Sequence, residues 1–202
     1  MLSSIHPFGE RSRNNRFINT AIAHVLGSTL GGLVLGVLSG FLGAAFLAVV
    51  PLDSTARIAL VALAAAVATV LEATHRERVL PTRTRQVNEN WIQNYRGWVY
   101  GGGWGAELGF GISTIITTTL IHLLVVSMIL IGDPVTAGVL GALFGAIRGA
   151  TVLAAARVDS ADRLRAFHRT LDQLRDRSRA GAVVSLATAT AVGVWGLTGG
   201  LL

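Results

Sequence analysis

Cysteine is missing from all 202 residues. That absence excludes disulfides, thiolate metal sites, iron–sulfur clusters and cysteine redox relays. Charge is scarce: 14% of residues are Asp, Glu, Lys or Arg, against about a quarter in a soluble domain. The combination of low hydrophobicity and high charge that marks disorder is therefore absent as well. No dinucleotide fingerprint, phosphate-binding loop, metalloprotease motif or Gly-x-Ser-x-Gly elbow occurs. The run Gly101-Gly102-Gly103-Trp104-Gly105 has no βαβ pattern around it. No catalytic function, cofactor or metal is expected.

What is present is apolar. Hydrophobic residues make up 51% of the chain, and the mean hydropathy is +0.58. A soluble domain of this composition would expose large apolar patches and aggregate. The expected fold class is an all-α integral membrane protein with one transmembrane domain over residues 1–202. About five helices would span the membrane, approximately at 17–50, 58–74, 98–131, 135–156 and 181–202. The run 17–50 is too long for one upright helix and short for two spans, so it would tilt, extend past the membrane or break near Gly31–Gly32; in the equally long run 98–131, Gly101–Gly103 is the expected break.

The net charge is +6. The arginines concentrate in an N-terminal preamble, in 75–97 and in 157–180, whereas the short turns at Asp53 and Asp133 are mostly acidic. This distribution follows the positive-inside rule rather than a nucleic-acid surface. It predicts a multi-pass protein of the bacterial cell membrane with a cytoplasmic N-terminus and an external C-terminus. Leu164, Phe167, Leu171 and Leu174 recur at helical spacing, as do Val87, Trp91, Tyr95 and Trp98. Both sets predict basic amphipathic helices lying at the membrane surface, in contact with lipid, with anionic head groups as the functional alternative.

Glycine is in excess, at 24 residues. Gly32, Gly36 and Gly40 share a helix face; so do Gly101, Gly105 and Gly109, then Gly141, Gly145 and Gly149, and finally Gly196 and Gly200. Such faces let helix backbones approach in lipid, either within one bundle or against a homo-oligomeric or larger membrane partner. Ionisable groups inside apolar runs are candidate sites. Glu107 and Arg148 lie at matching depth and are expected to pair directly or through a water. His24 and His122 are expected interior histidines. Ser113, Thr114, Thr117, Thr118 and Thr119 form a hydroxyl-rich stretch after Glu107. Matches at an offset of 80, such as Leu60 with Leu140 and Ala62 with Ala142, leave an internal duplication open.

The segment from Met1 to Arg13, then Gly27 to Gly36, and Arg85 to Trp91 leading into Tyr95–Gly101, resemble a family pattern. It is that of actinobacterial multipass proteins loosely grouped with sulfite-exporter-type and cytochrome c biogenesis (CcdA/DsbD-type) transmembrane proteins. The resemblance implies a further helix ahead of Met1, making six spans. Its redox branch uses a membrane cysteine in each half, and this chain has none around Glu107–Gly111. The expected function is a non-catalytic, transporter-like bundle for a small solute or ion. The alternative is an accessory or assembly subunit docking through its glycine faces.

Overall fold

A computed structural model describes residues 4–76, 79–80, 90–111 and 118–199, except for the side chain of Arg175. The elements are helices throughout: α1 (Pro7–Ser12), α2 (Phe17–Val49), α3 (Ser54–Ala73), α4 (Trp91–Asn94), α5 (Gly97–Phe110), α6 (Leu120–Ile131), α7 (Pro134–Ala150) and α8 (Ala161–Leu197). A 3-10 turn, Thr151–Ala155, extends α7. Among the described residues, four helices are long and apolar enough to cross a membrane: Phe17–Val49, Ser54–Ala73, Pro134–Ala155 and Asp176–Leu197.

The ends of these helices follow from local chemistry. Asp53 caps α3 by accepting from Ala56 N at 2.7 Å, and Asp133 caps α7 by accepting from Thr136 N at 2.7 Å. Both caps satisfy orphan first-turn donors. They stand 80 residues apart, as do the starts of α2 and α5 at residues 17 and 97. The offset suspected in sequence therefore coincides with equivalent structural positions. Pro51 follows α2 and disfavours helical backbone at the residue before it; Val50 takes φ −120°, ψ 85°.

The long helix α2 is the axis of the molecule. Apart from Leu35, its buried positions are small or polar, among them Thr20, His24, Gly27, Ser28, Gly31, Gly32, Gly36 and Gly40. Its large side chains, Ile18, Ile22, Leu26, Leu30, Leu38 and Phe41, are exposed. This reverses the soluble pattern and suits a helix packed through small residues in an apolar solvent. The two neighbours of α2 run in opposite directions. Thr20, His24 and Ser28 meet Gly101, Gly105 and Gly109 in order, so α5 runs parallel to α2. Ser28, Gly32, Gly36 and Gly40 meet Gly145, Gly141, Ala137 and Pro134, so α7 runs antiparallel. Gly149 closes this contact against Val25 and Ser28.

Several expectations need correction. The run 17–50 does not break at Gly31–Gly32: α2 is continuous, because both glycines are locked against neighbouring backbones rather than freed. The run 98–131 is not one span. It is broken after Phe110, where Gly111 takes φ +71°, a left-handed conformation that glycine adopts without strain. The expected weak point, Gly101–Gly103, is helical instead. Gly101 lies against Thr20 and Gly103 against Trp91, and this packing outweighs poor helix propensity. At about 1.5 Å per residue, α5 and α6 reach roughly 20 Å each, short of a full ~30 Å crossing. Residues 121 and 129 lie beside Leu35 and Gly43, so α6 continues along α2 where α5 stops.

The segment 157–180 is not a separate surface helix. It forms one 37-residue helix with the last apolar stretch, because Gly181 alone is too weak a breaker to end it. That helix packs on α3, with Gly193 against Ala62. Of the expected surface helix at 86–98, Val87 lies outside the described residues. Trp91–Asn94 forms one short turn before an extended Tyr95. Gly200 also lies outside the described residues.

A methyl group added at Gly109 would meet the Ser28 carbonyl, whereas one at Gly181 meets nothing within 4 Å. Gly109→Ala is therefore expected to cost about 1–3 kcal/mol through overpacking. Gly181→Ala should be neutral or stabilising by up to about 1 kcal/mol. Thermal unfolding of both variants in the same detergent checks this.

Candidate functional site

Two buried carboxylates organise the polar interior. Glu72, 2% exposed, sits in the last turn of α3 at the end of a buried face comprising Ala62, Ala65 and Ala68. Its Oε2 accepts from Thr119 N at 2.8 Å, from Thr119 Oγ1 at 2.9 Å and from Thr118 Oγ1 at 3.3 Å. Thr119 Oγ1 also donates to the Ala68 carbonyl at 3.2 Å. Thr119 is the N-cap of α6, and its own side chain caps nothing there. Glu72 thus satisfies the N-terminus of a half-helix from across the bundle, where the helix dipole favours negative charge. From α8, Arg179 Nε donates to the Glu72 carbonyl at 3.3 Å, a cation at the C-terminus of α3.

The second carboxylate, Glu10, is 0% exposed. It accepts from Thr20 Oγ1 at 2.7 Å, from Arg13 Nη1 at 3.2 Å and from the Tyr100 hydroxyl. This ties α1 to the first turns of α2 and α5. Ile5, Ala21, Tyr100, Trp104 and Val152 close an apolar cluster beside it. Around α1, His6 Nδ1 accepts from Gly9 N at 3.0 Å, and Phe8 N donates to the Val158 carbonyl at 3.0 Å. Burial, then the Arg13 guanidinium, holds the His6 imidazole below its ordinary value of 6.5.

The residues singled out in the sequence fall in different places. Thr118 joins Glu72, whereas Ser113, Thr114 and Thr117 lie outside the described residues. His24 is buried, and its Nδ1 donates to the Gly101 carbonyl at 3.1 Å, fastening α2 to α5. His122 lies half-buried one turn into α6. The expected direct Glu107–Arg148 ion pair does not form. Arg148 instead lies over the Phe144 ring, 5.6 Å from its centroid, with Nη1 buried and lacking a hydrogen-bond partner. Matching depth was the basis of that expectation, but depth does not fix which way a side chain points around its helix.

Glu10 and Glu72 were visible in sequence only as a preamble residue and as a lone acid near the end of a run. Their partners lie 90 and 47 residues away. The one local signal was an acid inside an otherwise charge-free apolar stretch.

Removing the Glu72 carboxylate leaves the buried Thr119 N–H unsatisfied, at a cost of about 1–3 kcal/mol. Glu72→Ala should therefore lower the midpoint of thermal unfolding more than Thr118→Ala, which removes the longest of the three bonds and a long contact from Leu120 N at 3.4 Å. For His6, the folded state binds fewer protons than the unfolded chain below about pH 6.5. Its contribution is complete above that value and is lost as pH falls through it. The unfolding temperature should drop between pH 7.5 and 5.5, and drop less in His6→Asn, which keeps a side-chain cap for Gly9 N.

No family model matches the chain, and neither a curated protein nor a solved structure matches it.

Proposed function

We propose that this chain is a non-catalytic, transporter-like membrane bundle for a small solute or ion, with Glu72 as the group that takes up and releases a proton or small cation. The observation that carries this reading is a buried carboxylate, on a helix able to cross the membrane, set against the N-terminus of a half-helix. Transporters place their sites at such interruptions, because unwound backbone and helix ends offer polar groups where a continuous helix offers none. All three bonds from Thr118 and Thr119 land on Oε2. Oε1 takes none of them, so it is the oxygen that protonation or a cation would use. The Arg-rich segments support a cytoplasmic N-terminus in a cell membrane. The resemblance to sulfite-exporter-type proteins agrees with solute movement. The accessory-subunit alternative is weaker, because three of the four glycine faces, those of α2, α5 and α7, are occupied within the same chain.

Proteoliposomes loaded with a pH-sensitive dye, under an imposed potential, test this reading. Wild-type protein should dissipate the gradient faster than protein-free vesicles. Glu72→Gln should fall to the protein-free rate while keeping its size-exclusion profile. Wild-type flux no faster than that of empty vesicles would overturn proton movement, and full flux in Glu72→Gln would remove Glu72 from it.

A further inference from the structure

A cavity of about 440 Å³ opens where α1 ends and α4 leads into α5. Its polar lining is Arg13, Asn15, Gln93, Asn94, Tyr95 and Arg96, with no acidic side chain among the lining residues. Arg13 is held in place rather than free, since Nη1 bonds Glu10 at 3.2 Å and the Ser4 carbonyl at 3.3 Å. Glu10 is itself held by Thr20 and Tyr100, so the buried network fixes the position of this cation. Arg96 is exposed at the cavity wall and forms none of the ion pairs of the described residues.

The location of the cavity narrows the ligand. The charge-free run of α2 begins at Phe17, directly after Arg16, so the cavity stands at the boundary between polar chain and membrane-length helix. Tyr95 and Trp98 beside it are 52% and 61% exposed. Aromatic residues of this kind settle at the head-group level of a bilayer. One turn into α2, Ile18 and Ile22 are exposed on an apolar surface suited to an acyl chain. All 17 basic residues of the chain are arginine, whose planar fork matches two phosphate oxygens at once.

We propose that this cavity binds the phosphate diester head group of an anionic lipid, with Arg13 and Arg96 on the phosphate oxygens. The amides of Asn15, Gln93 and Asn94 serve the remaining head-group atoms, and Tyr95 and Trp98 hold the rim in the interface. The proposal is independent of solute movement at Glu72, and either can fail without the other.

Native mass spectrometry of the delipidated full chain, titrated with phosphatidylglycerol or phosphatidylcholine, tests the site. The wild type should retain phosphatidylglycerol in preference. Arg96→Gln should weaken that retention about tenfold, the loss of one charge-assisted contact. Arg169→Gln, on the basic half of α8 outside the cavity, should leave it unchanged. Asn94→Asp supplies a second probe, since it adds a repelling charge to the cavity without touching the Arg13–Glu10 pair. Equal retention of the two lipids, wild-type retention in both cavity variants, or an equal loss in Arg169→Gln would each overturn the proposal. Displacement of phosphatidylglycerol by millimolar inorganic phosphate would also overturn it, by showing that free phosphate is the ligand.

Discussion

The α2, α5, α6 and α7 part of this bundle rests on the approach of the α2 backbone to two other backbones at once. Ser28 is the point where this is tightest. A Cβ on Gly109 of α5 or on Gly145 of α7 would meet the same Ser28 carbonyl, and the Ser28 hydroxyl donates to the Gly145 carbonyl at 2.7 Å. With lipid outside, apolar burial offers little reason for helices to associate, so close van der Waals contact and interhelical hydrogen bonds must supply it. That requirement explains why glycine, normally a poor helix residue, stands at the most buried positions of α2, α5 and α7. It also explains why the large side chains point outward.

The break at Gly111 is the second consequence of the same arrangement. Gly109 is pressed against Ser28, and two residues later the backbone turns left-handed. Where the chain resumes as α6, the first turn has donors that need acceptors, and its cap residue Thr119 supplies none from its side chain. Glu72 reaches in from α3 to meet the need. The carboxylate is stabilised by these bonds, and the half-helix is stabilised by the carboxylate.

Much of the architecture was legible in composition and spacing. The apolar runs, the acidic turns at Asp53 and Asp133 and the glycine periodicities predicted membrane-length helices meeting through small residues, and the polar stretch around Thr118 marked the most hydroxyl-rich part of the chain. The candidate site was less legible. Glu10 finds Tyr100 because α5 runs parallel to α2, and Glu72 finds Thr119 because α3 packs against the start of α6. Equal depth suggested Glu107 and Arg148 as partners, directly or through a water; no direct ion pair joins them, and Arg148 stacks on Phe144 from its own turn.

The sequence by itself determined which segments are apolar enough to leave water, where helices start, and which faces are smooth. These are local properties: hydropathy over about twenty residues, a capping carboxylate, and glycine every fourth position. Tertiary structure decided the rest. It kept Gly101–Gly103 helical and broke the chain at Gly111, because contact with α2 and Trp91 outweighs a propensity of about 1 kcal/mol per glycine. It joined the basic segment after Ala161 to the last apolar stretch as one helix. It also chose the buried acids, because whether a charged group inside an apolar bundle finds donors depends on the helix opposite, and no local pattern records that neighbour.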